Sequence, residues 1–462
     1  MSKINRDILY LIFEEFYDDK KSLSSFLLVN KTWCEIILPI LWKNPWKDLT
    51  REKEKLLLYV IISHLSDENK FKQTIDFLKN SYQRPLFNYI SFCRHLNFNV
   101  IKRIISTHYF LYYAEIINDI HDLFINGNTK FTHLYMFSQF DCELHLIPGA
   151  KQRFSEIEFL SIDTGINENI LVGLAGMCKS IKKLELFINS NNDSGIVELI
   201  KSQKKLINVS LLSHGDTESF EISYKIIENS LINHANTIQY FKLHQQPLTS
   251  ILSSFINLKS LELGHDSYET SWSCVESLTL PLLQTLKVKC IPFKALTSLI
   301  ENTGDHLTEI KIYYKNHYDI NNVRIIQTIY QNCPKLKYLK LFIDNSLILE
   351  LEKLLLNCQY LNGLSIILDY DNTIDWIVLF QTLAKLSPVN LFEFKFCSDH
   401  FNYLRAPKIE SLKLFFDNWK GRHPLILRFN NSNMSKNYFD LIEKYKAEGI
   451  IKTFEYDCFF KY

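Results

Sequence analysis

The most regular feature of the chain is a six-residue pattern with apolar residues at its first, fourth and sixth positions. The last three positions alternate apolar, polar and apolar, which predicts a short β-strand in every copy. Eleven copies follow one another along the C-terminal part of the chain. They are IEFLSI, IKKLEL, LINVSL, IQYFKL, LKSLEL, LQTLKV, LTEIKI, LKYLKL, LNGLSI, LFEFKF and IESLKL, beginning at residues 157, 181, 206, 238, 258, 283, 307, 336, 361, 391 and 409. A degenerate copy, IKTFEY, begins at residue 451.

Helix-like segments such as NNVRIIQTIYQNC and LILELEKLLLNC separate the copies, whose starting points lie 18 to 42 residues apart. Most of these intervals lie in or near the period of leucine-rich repeats. One strand and one helix cannot bury their apolar faces alone, so successive units have to stack on one another. We therefore expect an α/β leucine-rich-repeat solenoid over residues 127–462, with parallel strands on its concave face and helices on its convex face. The alternative is a generic α/β domain with parallel strands.

Three of the predicted helices end in a cysteine that stands three residues before the next repeat. These residues are Cys178, Cys333 and Cys358. A small apolar thiol suits the tight place where a helix turns into a strand, so we expect these cysteines to be buried and structural.

The first fifty residues follow a different, helical pattern. Asn5, then Asp18 or Asp19, and then Asn30 can cap three short helices. Pro39 lacks an amide hydrogen, so the third helix should bend or break near Ile36. The apolar residues on the predicted inner faces are Ile8, Leu9, Ile12, Phe13, Phe16, Leu23, Phe26, Leu27, Trp33, Ile36, Ile37 and Ile40. So small a unit cannot cover all of them, and the surplus predicts a docking surface.

DILYLIFEEF followed by LSSFLLVNKTWCEIILPILW resembles an F-box, and the resemblance covers about residues 1–47. The NCPKLKYLKL style of the repeats is similar to the cysteine-containing leucine-rich repeats of F-box proteins, so the chain resembles the expanded fungal F-box and leucine-rich-repeat family. The resemblance implies a three-helix F-box over residues 1–47, a helical spacer over 48–126, and the solenoid over 127–462. The adaptor-binding residues that it implies are Ile8, Leu9, Ile12, Leu27, Leu28, Trp33, Leu41 and Trp42.

This resemblance implies a substrate-recognition subunit of an SCF-type ubiquitin ligase. The F-box would bind a Skp-type adaptor and, through it, cullin and RING subunits, while the repeats would hold a protein substrate. Asn5 and Arg6 stand where the family usually has Leu-Pro. The alternative is therefore a leucine-rich-repeat interaction scaffold with a degenerate F-box and no ubiquitin role.

The composition of the chain limits which kinds of partner and which cellular compartment are expected. The chain of 462 residues has 52 basic and 51 acidic side chains, a balance that provides no electrostatic footprint for nucleic acid. The start of the chain does not resemble a signal peptide, and the apolar run LLLYVII is too short to span a membrane. Ten cysteines without any C-x-x-C spacing favour reduced thiols. We expect a cytoplasmic or nuclear protein, or one present in both compartments.

The chain shows no sign of catalytic or cofactor chemistry of its own. Phosphate-binding glycine loops, zinc-protease, serine-hydrolase and kinase motifs do not occur. Asp369, Asp371 and Asp375 lack the glycine and closing glutamate of a calcium loop, so we expect a solvated turn. His64, His95, His108 and His121 in the predicted spacer are expected to be solvated or core residues. We therefore expect no cofactor, no metal and no enzyme activity.

Lysine is frequent at the outward position between the last two apolar positions of each copy. It fills six of the eleven places, as Lys242, Lys287, Lys311, Lys340, Lys395 and Lys413. The position after each unit is often apolar or aromatic, as at Tyr313 and Phe342. These eight residues are the predicted substrate site, suited to an acidic or phosphorylated peptide with apolar anchors. The alternative is that the lysines are ordinary outward strand residues that discourage edge aggregation.

Overall fold

A computed structural model describes residues 5–65, 85–108, 113–125, 129–136, 140, 142–189, 193–213, 220–264, 272–303, 306–313, 322–368, 374–398, 407–430 and 436–456. The chain divides into two compact units, Met1–Asn233 and His234–Tyr462. Each unit is an α/β structure whose strands are parallel and follow one another in chain order.

The first unit begins with three short helices. These are α1 (Arg6–Glu14), α2 (Lys20–Phe26) and α3 (Lys31–Trp42). Each starts at a predicted cap, because the side chains of Asn5, Asp19 and Asn30 accept hydrogen bonds from backbone amides of the first turn. We call residues 5–42 the three-helix unit.

The remaining helices of the first unit alternate with strands. The helices are α4 (Arg51–Ser63), α5 (Phe98–His108), α6 (Tyr113–Ile125), α7 (Ala150–Phe154), α8 (Glu168–Met177), α9 (Asp193–Lys201) and α10 (Glu221–Leu231). The strands are β1 (His95–Asn97), β2 (His133–Met136), β3 (Phe159–Asp163), β4 (Lys183–Ile188) and β5 (Asn208–Ser213). Each strand pairs in parallel with the next along the chain.

Two strands of the first unit lie outside the predicted repeats. Strand β1 comes from CRHLNF, which begins at residue 93, and β2 from FTHLYM, which begins at residue 131. Both segments follow the six-residue apolar pattern of the repeats. Because β1 falls inside residues 48–126, the predicted spacer is not purely helical, and the strand–helix alternation starts earlier than the sequence pattern predicted. His95 on β1 is buried and stacks on His133 of β2 with ring centroids 3.7 Å apart.

The second unit repeats the alternation of strand and helix. Its strands are β6 (Tyr240–Leu243), β7 (Ser260–Gly264), β8 (Thr285–Lys289), β9 (Glu309–Tyr313), β10 (Tyr338–Phe342), β11 (Gly363–Leu368), β12 (Glu393–Ser398), β13 (Leu425–Phe429) and β14 (Ile451–Tyr456). Its helices are α11 (Ile251–Ser254), α12 (Ser273–Glu276), α13 (Phe293–Thr303), α14 (Asn322–Asn332), α15 (Ile348–Asn357), α16 (Trp376–Leu386), α17 (Ile409–Trp419) and α18 (Lys436–Ala447). Short 3-10 helices occur at Tyr89–Phe92, Leu144–Leu146, Ile232–His234 and Asn345–Leu347.

The predicted strand at IESLKL is wrong, because residues 409–419 form helix α17. Leu412, Phe415 and Trp419 are buried at helical spacing, and this longer apolar face determines the structure. The missing strand is β13, from PLILRF. Its Ile426 pairs with Glu393 of β12, 33 residues earlier, and with Thr453 of β14, 27 residues later. These two intervals replace the irregular ones that the hexamer pattern produced.

Pro39 does not break helix α3, which continues from Lys31 to Trp42. Ile36, Ile37 and Ile40, which flank the proline, are buried in the core of the three-helix unit. Their burial outweighs the loss of one backbone hydrogen bond, because each fully buried isoleucine contributes about 1.5–3 kcal/mol.

The cysteines at the helix ends are buried, as predicted. Cys178, Cys333 and Cys358 have no exposed surface, and burial raises the pKa of each thiol to about 12. Protonated thiols of this kind pack as small apolar groups, which agrees with a structural role at the turn from helix to strand.

Candidate functional site

The interior of the three-helix unit takes up several of the predicted adaptor-binding residues. Leu9 and Phe13 of α1, Leu23 of α2, and Ile36, Ile37 and Ile40 of α3 form its buried core. Leu27, Trp33 and Leu41 are half-buried against this core, and the Trp33 ring meets the edge of Phe13 at 4.9 Å between centroids. Substitution of these residues would therefore disturb the folding of the three-helix unit as well as any adaptor-binding surface that they form.

Other apolar side chains of the same unit face solvent. On α1, Ile8 is 51%, Leu11 62% and Ile12 44% exposed, and these residues share one helix face. In the connection from α2 to α3, Leu28 is 89% and Val29 56% exposed. We call these five residues the exposed apolar set. Ile8, Ile12 and Leu28 belong to the predicted adaptor site, whereas Leu11 was missed, although its spacing from Ile8 was a usable signal.

Trp42 lies apart from the exposed apolar set. Its indole ring stacks on Tyr89 with centroids 4.8 Å apart, so it is half-buried against the segment that leads into β1. The F-box resemblance assigns Trp42 to the adaptor site, whereas its described ring contact is with Tyr89.

Backbone and side-chain hydrogen bonds fix the three-helix unit to the first strand. The carbonyl oxygen of Lys43 accepts hydrogen bonds from the amides of Arg94 and His95 at 2.9 and 3.2 Å. Trp46 is buried and its indole N–H donates to the carbonyl of His95 at 2.6 Å. The connection is therefore held by buried hydrogen bonds, and a partner docked on the helices would keep a fixed position relative to β1.

A second candidate surface is the face of the second unit's strands that the helices leave partly exposed, which we call the open face. Pairing places five of the six predicted lysines in one register column. Lys242, Lys287, Lys311 and Lys340 occupy equivalent positions on β6 and β8 to β10, with Glu262 between them on β7. The column continues through Ser365 on β11, Lys395 on β12, Arg428 on β13 and Glu455 on β14.

The first lysines of this column have acidic partners. The carboxylate of Glu262 lies 2.6 Å from the ammonium of Lys242 and 3.8 Å from that of Lys287. Burial acts to raise the pKa of Glu262, but the hydrogen bond and charge of Lys242, together with Lys287, lower it overall. Lys311 pairs with Glu309 of its own strand at 2.5 Å. The positive potential of this part of the column is therefore largely balanced.

Lys340 and Lys395 stand on either side of Ser365 in the same column. Burial lowers the pKa of each ammonium group, and nearby positive charges, including Lys311, lower it further. The ammonium of Lys340 lies 4.0 Å from the ring centroid of Tyr313, a cation–π contact. Lys311, Lys340 and Lys395 thus lie close enough together for their charges to interact.

The neighbouring column is less accessible than the sequence suggests. Tyr313 is half-buried, whereas Phe342 is only 3% exposed and packs within the unit. Lys413, the last predicted member of the lysine column, is not on the open face, because it lies on the exposed side of helix α17. This correction follows from the helical structure of IESLKL.

Other predicted features have structural explanations. Asp375 caps α16 by accepting hydrogen bonds from the amides of Ile377 and Val378, while Asp369 and Asp371 lie outside the described residues. Within the described part of the chain, no three His, Cys, Asp or Glu side chains lie close enough together to hold a metal ion. Every helix of the described ranges is too short or too polar to cross a bilayer.

Comparison with protein-family models finds no match for the chain. Comparison with curated protein sequences likewise finds no significant similarity. The functional interpretation therefore depends on the geometry of the two candidate surfaces.

Proposed function

We propose that the protein is the substrate-recognition subunit of an SCF-type ubiquitin ligase complex. In this proposal the three-helix unit is an F-box that binds a Skp-type adaptor, which in turn binds cullin and RING subunits. The strand–helix repeats form a leucine-rich-repeat solenoid whose open face is concave and holds a protein substrate. The protein would work in the cytoplasm or the nucleus.

The observation that carries the proposal is the exposed apolar set on so small a helical unit. Ile8, Leu11 and Ile12 present one apolar face of α1, and Leu28 is the most exposed of the five residues. Burying each aliphatic side chain against a partner contributes about 1.5–3 kcal/mol, so this surface is suited to a stable adaptor interface. The hydrogen bonds to β1 hold the three-helix unit at a defined place within the first unit.

No catalytic group is needed on this chain under the proposal. An adaptor-bound receptor acts by raising the local concentration of substrate lysines near the ubiquitin-loaded enzyme. The open face around Lys340 and Lys395 would receive an acidic or phosphorylated peptide.

A pull-down with a recombinant fungal Skp-type adaptor tests the proposal. Wild-type protein should be retained, and Leu28→Asp should abolish retention because it places a charge in the apolar interface. Leu146→Asp is the matched control. Leu146 is 67% exposed and belongs to the first unit, but it lies outside the three-helix unit. Failure of the wild-type protein to bind, or equal loss with both variants, would contradict the proposal.

The substrate half has its own test. Lys311→Glu, Lys340→Glu and Lys395→Glu together should abolish substrate capture by the adaptor complex without weakening adaptor binding. Lys413→Glu, an exposed lysine on α17, is the control and should have no effect. Unchanged capture by the triple variant would rule out the open face.

One observation favours the scaffold alternative, in which the helices have no ubiquitin role. Asn5 caps α1 and the guanidinium of Arg6 pairs with Glu35 of α3 at 3.2 Å, so the residues in place of Leu-Pro serve the unit itself. The same pull-down separates the two functions, because a scaffold with a degenerate F-box would not retain the adaptor.

A further inference from the structure

A groove of about 300 Å³ lies in the first unit, where the end of α3 meets α4. Leu41 and Trp42 of α3, Leu49 of the connection, and Leu56 and Val60 of α4 provide apolar lining. Leu56 is 63% exposed, so one wall of the groove is an uncovered aliphatic surface. The volume lies at the lower end of the range for ligand pockets and suits a few apolar side chains.

The rim of the groove is predominantly basic. Lys20, Lys47 and Lys53 contribute three ammonium groups, and Asp48 contributes one carboxylate. The ammonium of Lys20 donates to the carbonyl of Lys47 at 2.8 Å and lies 4.0 Å from the Asp48 carboxylate. Outside the lining, Asp18 lies 2.5 Å from the ammonium of Lys47. The lining itself therefore carries more positive than negative charge.

Lys47 and Lys53 repel the ammonium of Lys20, whereas the hydrogen bond to Asp18 raises the pKa of Lys47. Burial lowers the pKa of Lys20, and the charges of Lys47 and Lys53 lower it further, while Asp48 and Asp18 act in the opposite direction. A carboxylate that enters the groove would relieve this repulsion. The gain should be largest at low ionic strength, because these lysines are partly exposed and salt screens their charges.

We infer that this groove binds a short amphipathic, acidic peptide segment of a partner protein. Its apolar side chains would sit against Trp42, Leu56 and Val60, and its carboxylates would lie among the lysines of the rim. Leu56 and Val60 stand one turn apart on α4, so their side chains lie next to each other along one wall of the groove. None of the five residues of the exposed apolar set lines the groove, whereas Leu41 and Trp42, which the F-box resemblance assigns to the adaptor site, do. The inference rests on the charge and apolar lining of the groove and does not require adaptor binding.

Fluorescence anisotropy with a labelled peptide of repeated Leu-Glu-Glu-Leu units tests the inference on the full chain. Peptides with glutamine or lysine in place of glutamate are the comparisons. The acidic peptide should bind about tenfold more tightly than the glutamine peptide, and the lysine peptide should not bind. Salt should weaken the acidic peptide selectively.

Variants assign the binding to the groove. Lys20→Gln combined with Lys53→Gln should reduce affinity for the acidic peptide about tenfold and leave the glutamine peptide unchanged. Lys53→Gln alone, at an exposed position, should reduce it about threefold and serves if the double variant folds poorly. Leu56→Asp should abolish binding of both peptides, and Lys55→Gln, an exposed lysine of α4 outside the lining, should change nothing.

Three results would overturn the inference. The first is equal affinity for the acidic and glutamine peptides. The second is loss of binding with Lys55→Gln that matches the loss with Lys53→Gln. The third is absence of binding of the acidic peptide, in which case retention on phosphatidylserine vesicles that Lys53→Gln weakens would identify a membrane surface as the partner instead.

Discussion

The indole N–H of Trp46 donates a hydrogen bond to the carbonyl oxygen of His95 at 2.6 Å, in an environment where the tryptophan is only 7% exposed. Trp46 follows helix α3, and His95 begins strand β1. One buried hydrogen bond thus connects the helical start of the chain with its first strand. The three-helix unit cannot leave β1 without exposing this indole and leaving the His95 carbonyl with the weaker thiol donor of Cys93 at 3.0 Å.

Replacement of Trp46 by phenylalanine should lower the free energy of unfolding by about 0.5–1.5 kcal/mol, because the carbonyl of His95 would lose its indole donor and keep the weaker Cys93 thiol, while much of the ring packing remains. Urea unfolding followed by circular dichroism measures the change. Trp42→Phe is the control and should cost less, since phenylalanine can still stack on Tyr89. Equal costs for the two variants would refute a special role for Trp46.

The stacked imidazoles of His95 and His133 should make stability depend on pH. Burial lowers the pKa of His95 to about 3 and that of His133 to about 4, and nearby positive charges act in the same direction. Unfolded histidines bind protons below about pH 6.5, whereas these two stay neutral in the folded state. The free energy of unfolding should therefore fall as the pH is lowered from about 6.5 towards 4, by at most about 1.4 kcal/mol per pH unit for each imidazole.

Urea unfolding at several pH values between these limits measures that slope. His133→Phe should make it shallower, because one titrating group is lost while the ring stack with Phe159 remains possible. His145→Phe, at an exposed histidine of the same unit, is the control and should leave the slope unchanged. A slope that His133→Phe does not alter would contradict the prediction.

The ion pair between Glu54 and Arg103 should respond unequally to removal of its two partners. The carboxylate of Glu54 is buried and accepts from the Arg103 guanidinium at 2.6 Å, whereas the arginine side chain is half exposed. Arg103→Ala would leave a buried carboxylate without this partner, so it should cost about 3–5 kcal/mol. Glu54→Gln should cost less, because water can solvate the arginine. Thermal or urea unfolding distinguishes the order, and Glu52→Gln on the exposed side of α4 should be neutral.

Gly363 on β11 makes room for the ring of Tyr338 on β10. A Cβ atom at position 363 would lie 2.7 Å from Cδ1 of Tyr338, so Gly363→Ala should displace the ring at a cost of about 0.5–1.5 kcal/mol. In a Tyr338→Ala background the same substitution should be neutral or stabilising, because glycine weakens a strand. A double-mutant cycle measures this coupling. Additive effects of the two substitutions would show that the Tyr338 ring does not limit the space at position 363.

Local sequence rules predicted the parts of the fold that depend on neighbouring residues. The caps at Asn5, Asp19 and Asn30, and ten strands of the hexamer pattern, required only side-chain chemistry and periodicity. The pattern failed at IESLKL because apolar residues at the first, fourth and sixth positions also fit a helix. Only the further apolar positions through Trp419 distinguish the two. Strand β13 was missed because Pro424, just before the strand, occupies the first position of its six-residue segment.

The sequence predicted where the residues of the candidate surfaces lie better than it predicted how exposed their side chains are. Sequence placed Lys340 and Lys395 in one outward column, and strand pairing confirms their shared register. It could not show that Phe342 and Leu9 are buried, or that Lys242 and Lys287 share the carboxylate of Glu262. Burial and ion pairing of this kind depend on contacts between residues on different helices and strands. The periodicity of one segment gives no information about such contacts.

The pairing of strands in chain order has a consequence for how the second unit can change over time. Each strand from β7 to β13 pairs with both the strand that precedes it and the strand that follows it. Deleting or duplicating one strand with its helix would leave two edges of the same kind, and these could pair with each other. Recombination could therefore lengthen or shorten the open face in whole steps, so that a lineage could resize its binding surface without rebuilding the remaining repeats.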